Sequence, residues 1–173
     1  MFYARAQRAS EVMTLRSVLA ALTHPRRDTQ PRDTLAPGVS GSPALHGSLQ
    51  LRHVDAGSCN GCELEINSIF SPVHDAERFG VRMVASPRHA DALLVTGPVT
   101  RNMAGPLATT FAALPEPRLV IGLGDCTHDC GPFRDAYGVE GSLEDVMRVD
   151  VHIAGCPPRP EAIIDALRTL TGQ

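Results

Sequence analysis

The chain lacks lysine altogether: all 16 basic residues among its 173 are arginine. Without an ε-amine it has neither a Schiff-base nucleophile nor the lysine of a phosphate-binding loop. Long apolar runs are missing too. No stretch approaches the roughly 20 apolar residues of a membrane span. The apolar stretch Val12–Leu22 is broken by Arg16, and Arg26-Arg27 has no apolar run behind it, so neither reads as an export signal. The expected location is therefore cytoplasmic, with any membrane attachment peripheral. Basic charge is scarce where the chain is most apolar: residues 1–50 carry six arginines against three acids, whereas residues 51–173 carry ten against sixteen, a local charge of −6. Such a body has no basic face with which to release counterions from a phosphate backbone, which argues against nucleic acid as a partner. Cysteine is sparse and uneven, five in all with none in the first 58 residues. That is too few for a disulfide scaffold, and the odd number points to a reduced compartment with metal or redox use.

What is present divides into two parts. Residues 1–48 read as an N-terminal helix over about 1–23 and a flexible, Pro-, Arg- and Gly-rich linker from His24 to Gly47. Residues 49–173 read as one α/β domain. Its expected strands are Leu49–Val54, Val81–Ala85, Ala92–Thr96, Leu119–Ile121 and Val149–Ile153; its expected helices are Cys62–Phe70, about Gly105–Leu114 and Pro160–Leu170. The segment Ala92–Thr96 is almost wholly apolar, as a strand covered on both faces must be. Alternation of strand and helix predicts an open, mostly parallel sheet with helices on both faces.

On this map Cys59 and Cys62 follow the first strand, Cys126 follows the fourth and Cys156 the last. All three loops leave carboxyl ends of strands, which in a parallel sheet share one edge, so four thiols can converge there. Four cysteines suit an iron–sulfur cluster or zinc. Zinc is kept open by Cys126-x-x-x-Cys130, and a C-x-x-C at a helix start also admits a redox dithiol.

The runs Cys59-Asn60-Gly61-Cys62-Glu63, Ser86-Pro87-Arg88-His89-Ala90-Asp91, Gly124-Asp125-Cys126 and Gly155-Cys156-Pro157-Pro158-Arg159-Pro160 occur in that order. Together they resemble the B-subunit family of NADH:quinone oxidoreductase, and within it most closely the small subunits of membrane-bound [NiFe] hydrogenases and formate hydrogenlyase. The resemblance covers about residues 51–171. It implies a flavodoxin-like domain holding one [4Fe-4S] cluster through Cys59, Cys62, Cys126 and Cys156, an electron-transfer subunit that is not catalytic alone. It further implies a large catalytic subunit of hydrogenase or quinone-site type, a ferredoxin-like electron-transfer subunit and membrane subunits as partners, at the cytoplasmic face of the inner membrane. In the quinone-reducing members the first two ligands are adjacent cysteines; the C-x-x-C here matches the hydrogenase branch. A zinc-stabilised, non-catalytic assembly module is the alternative of another class.

The remaining candidates are weighed residue by residue. Cys130 is the fifth thiol, read as a free or packed side chain. Arg88, His89 and Arg101 are candidates for raising a cluster's potential. Glu63 and Glu65 stand at a helix start, either favouring its dipole or relaying protons. His128 is a ligand only under the zinc reading. Asp125 adds negative charge beside Cys126 with no evident purpose. Gly122-x-Gly124 after a strand lacks the third glycine of a dinucleotide loop, since Thr127 stands there, so no nucleotide site is expected.

Overall fold

The computed structural model describes Leu45 and residues 47–172. The helix expected over 1–23 and nearly all of the expected linker lie outside the described residues. The elements run β1 (Leu49–Asp55), α1 (Gly61–Ile69), β2 (Val81–Met83), β3 (Ala92–Thr96), β4 (Val99–Thr100), α2 (Arg101–Ala112), β5 (Leu119–Leu123), α3 (Asp125–Asp129), β6 (Val139–Gly141), α4 (Leu143–Val146), β7 (Val151–Ile153) and α5 (Pro160–Thr171). Five strands form one sheet in the order β2-β1-β3-β5-β7, every pair parallel. That is the flavodoxin-like order, with its switch point between β1 and β3. β4 and β6 pair separately and antiparallel.

Period-two alternation sorts the strands onto two cores. Leu49, Leu51, Leu94, Ile121 and Ile153 face Ile66 and Ile69 of α1 and Ile163 and Leu167 of α5. Leu93, Val95 and Val120 face the opposite way, toward Leu107 of α2 and Leu143 of α4. Helices therefore cover both faces, and all five residues of β3 are buried, as its composition requires. Leu45, placed by composition in the linker, is also buried in the first core, and the Gly47 N–H donates to the Thr171 carbonyl at 3.1 Å.

Several boundaries differ from the sequence reading. α2 begins at Arg101 rather than near Gly105, with Pro106 inside the helix. Pro106 cannot donate to the carbonyl four residues back, and it is tolerated because its ring stands exposed on the outer face. β2 and β7 are only three residues long, shorter than their apolar runs. β4 and β6, two and three residues long, fall below the length at which alternation shows in a sequence. Among the described residues no helix is long and apolar enough to cross a membrane.

Candidate functional site

The site is built on the carboxyl ends of β1, β5 and β7. Beyond β1, the Asp55 carboxylate accepts from the N–H groups of Gly57 (2.9 Å) and Ser58 (2.7 Å), closing a turn that the Ser58 hydroxyl extends by accepting from the Asn60 N–H at 3.0 Å. Asn60, left-handed at φ 72°, swings the chain into α1. Cys59 thus lies in the turn and Cys62 in the first helical turn. Cys126 is the second residue of α3, just after β5, and Cys156 follows β7.

Contacts between these loops bring the cysteine-bearing segments together at one edge of the sheet. Gly124, at φ +93°, lies so close to Cys62 that a β-carbon there would stand 2.7 Å from Sγ. Gly131, at φ +47°, is 3.0 Å by the same measure from the Cys126 sulfur. Both positions need glycine twice over, for backbone conformation and for room. Cys59 and Cys156 are exposed while Cys62 and Cys126 are half-buried, so the group opens on the protein surface.

The ionisation of these thiols reports the same proximity. Burial pushes Cys62 up to about 12, reinforced by Glu63 and then by Cys126, Cys59 and Cys156. Burial likewise pushes Cys126 up to about 11, reinforced by Cys156, Cys59 and Asp129. Cys62 is thus perturbed by the other three thiols, and Cys126 by those of Cys156 and Cys59. Among the described residues no three His, Cys, Asp or Glu side chains close on a single metal ion. The donor set itself is four sulfurs, the ligation that iron–sulfur clusters and zinc accept. Glycines rather than side chains back two of those sulfurs, so the residues fit a cluster-sized group.

Cys130 stands apart. It is buried, left-handed at φ 63°, and caps α3. Burial raises its thiol first, then Asp145, with Arg134 opposing and Asp129 adding; none of the other four cysteines contributes. His128 pairs with Glu144 at 3.0 Å and is not turned into the thiol group.

The two glutamates divide. Glu63 points inward, where its Oε1 accepts from the buried Thr96 hydroxyl and lies 3.6 Å from His53 Nε2, itself 3.0 Å from the Thr96 hydroxyl. Glu63 Oε2 is buried without a partner. Burial lowers His53 below the ordinary histidine value, against the opposing pull of Glu63 and Asp55. Glu65 is two residues on, about 200° around the helix, so the pair cannot act as one relay. Sequence reading missed His53 and Thr96; the usable signal was the register His53↔Leu94 and Asp55↔Thr96, which sets both residues near the site end of neighbouring strands.

Arg88 and His89 are exposed in the turn that precedes β3, whereas the cysteines lie beyond the carboxyl ends of the strands. Five strand residues separate the two ends of β3, on the order of 15 Å. The turn serves the other edge of the sheet: Asp91 accepts from the Gln50 N–H at 2.8 Å and returns its own N–H to the Gln50 carbonyl. These two are therefore not placed to tune a group held by the thiols. Arg101 is at the site end but is exposed, 3.9 Å from Glu140. Asp125 is turned toward the Cys156 loop, accepting from the Gly155 N–H at 2.7 Å.

The chain is similar to several known proteins. Formate hydrogenlyase subunit 7 of Escherichia coli is 48% identical over 117 residues, 68% of this chain and 46% of that protein. A probable membrane-bound hydrogenase subunit of Pyrococcus furiosus, mbhJ, is 47% identical over 112 residues, 65% of this chain and 67% of that protein. This chain thus spans about half the length of the first and two thirds of the second. Among solved structures, a chain of an archaeal membrane-bound sulfane sulfur reductase matches with a TM-score of 0.65 and 35% identity, over 75% of this chain and 71% of that one. The family model described as NADH ubiquinone oxidoreductase, 20 Kd subunit, matches residues 59–170, which include all four converging cysteines, and the chain belongs to that family.

Proposed function

We propose that the protein is an electron-transfer subunit that holds one [4Fe-4S] cluster through Cys59, Cys62, Cys126 and Cys156 within a membrane-associated complex of hydrogenase or formate hydrogenlyase type. The observation that supports the reading is that three loops at one sheet edge carry four thiols, with glycines 124 and 131 leaving room against the sulfurs of Cys62 and Cys126. Such a cluster takes up and releases one electron at a time. The chain's own residues supply the rest. Cys62 and Cys126 anchor from the half-buried side, where ionisation is disfavoured, so they hold their protons until metal displaces them. Cys59 and Cys156 sit at the exposed rim, which allows a partner to approach the group.

The C-x-x-C spacing and the named relatives favour a large catalytic partner of nickel–iron type, with a ferredoxin-like subunit and membrane subunits beside it, at the cytoplasmic face of the inner membrane. The second reading, a B subunit passing electrons to quinone, rests on the description of the family itself. A large subunit with two C-x-x-C motifs encoded beside this chain supports the first reading; one without them supports the second.

Anaerobic purification tests the cluster. Expected are about four iron and four sulfide per chain and an EPR signal on reduction. Replacing Cys156 by Ser degrades the cluster, whereas Cys130→Ser leaves it intact. One zinc with no iron, or the reverse order of the two serine variants, overturns the assignment.

A further inference from the structure

Asp125 departs from what its neighbours require. It is the first residue of α3, beside Cys126, yet its carboxylate serves neither the helix nor an arginine. Its Oδ1 accepts from the Gly155 N–H at 2.7 Å, and its own N–H donates to the Gly155 carbonyl at 2.9 Å. One residue is therefore bonded at two points to another that lies 30 positions away and immediately precedes Cys156. Around the pair, the Gly124 N–H donates to the Ile153 carbonyl at 2.8 Å, and the Gly124 carbonyl is the partner of His152 Nε2 at 3.2 Å. Backbone contacts thus bring the two loops near each other, and the Asp125 carboxylate is the side-chain bond that ties the amide preceding Cys156 to the residue preceding Cys126.

We infer that Asp125 is a positioning residue: it locks the Cys126 loop to the Cys156 loop and so holds two thiols at the separation a bound group requires. The inference rests on the cluster reading above. Gly155 stands at φ +139°, a conformation with little intrinsic preference in one place, so its amide needs an external acceptor to stay in register. The lock needs an acceptor oxygen of the right reach and not a negative charge. Asparagine retains that oxygen; alanine removes it.

The test uses the full chain, expressed with its partners and purified anaerobically, as wild type, Asp125→Asn and Asp125→Ala. The expected result is wild-type iron content and EPR line shape in Asp125→Asn, and at least a threefold loss of iron with a broadened or split signal in Asp125→Ala. Amide exchange at Gly155 is followed in the same full chain without metal, by mass spectrometry; it accelerates at least tenfold in Asp125→Ala and stays near wild type in Asp125→Asn. Equal iron and equal exchange in all three overturns the inference while leaving the cluster reading standing. Loss in both variants alike also overturns it, since charge rather than the acceptor would then be what matters. Should Asp125→Ala fail to fold, the Asp125→Asn chain decides: wild-type exchange and line shape support the lock, and altered values sink it. Absence of iron from the wild type is the separate failure, that of the cluster reading.

Discussion

Adding a single methyl group at Gly124 is the sharpest perturbation the structure offers. In Gly124→Ala the new β-carbon is placed 2.7 Å from the Cys62 sulfur and 3.4 Å from the Gly155 carbonyl oxygen. Non-bonded heavy atoms sit best about 3.5–4.0 Å apart. The sulfur or the loop must therefore retreat by about 1 Å, twice the roughly 0.5 Å within which a functional constellation must be held. The backbone at φ +93° adds its own strain for any L side chain. Strain of about 1–3 kcal/mol and overpacking of about 1–3 kcal/mol together give a loss of about 2–6 kcal/mol. At roughly 3 °C per kcal/mol for a domain of this size, the metal-free chain melts about 6–18 °C lower, and the iron content of the anaerobically purified protein falls well below wild type. Gly105→Ala is the matched control: it lies in α2, exposed, with nothing within 4 Å of the added carbon. There the change stabilises by about 0.5–1 kcal/mol through helix propensity and leaves the iron untouched. Circular dichroism melts and iron assays on both variants decide the matter. If Gly124→Ala melts with wild type and carries the same iron, the space between Gly124 and Cys62 is not the cradle described above.

Two further outcomes follow from the same geometry. In the metal-free chain, alkylation near pH 8 labels the exposed Cys59 and Cys156 first, and Cys62 after both, because burial and its neighbours hold it at about 12; mass spectrometry that finds Cys62 modified ahead of both refutes the buried-anchor assignment. For His53, burial holds the folded value below the ordinary 6.5. The unfolded chain therefore binds the proton first as pH falls, so stability is unaffected above about pH 6.5 and declines below it. Denaturant midpoints measured from about pH 7 to pH 5 should fall less steeply in His53→Gln than in wild type; identical slopes would show that His53 does not titrate out of step.

Much of this was legible in the chain itself, for identifiable reasons. β3 carries five consecutive residues that are buried on both faces, and α5 starts at a proline and ends at a glycine, so both could be read from local chemistry. The convergence of four cysteines followed from one rule, that parallel strands share a carboxyl edge. The failures lie where contact, not composition, assigns the role. Glu63 and Glu65 look equivalent along the chain, yet only Glu63 finds Thr96 and His53, because a helix turns about 200° between them. Arg88 and His89 lie within one of the runs that carry the family resemblance but sit at the opposite end of β3. Asp125 had no visible purpose until Gly155, 30 positions away, was placed against it. Gly131 passed unremarked because its partner, the Cys126 sulfur, is a neighbour only after α3 has ended and the chain has doubled back.

The order of the sheet also governs when the thiols come together. β7, the outermost strand on its side, is the last of the five in the chain and carries the loop with Cys156, and it pairs only with β5. Three of the four thiols are already synthesised when β5 and its loop emerge, but the fourth arrives only after β7 has docked. A chain halted before that point displays an incomplete set, unable to close on a full-sized group. Under the proposed function, acquisition of metal is thereby deferred until the sheet is finished, and possession of it would certify that folding reached its last strand.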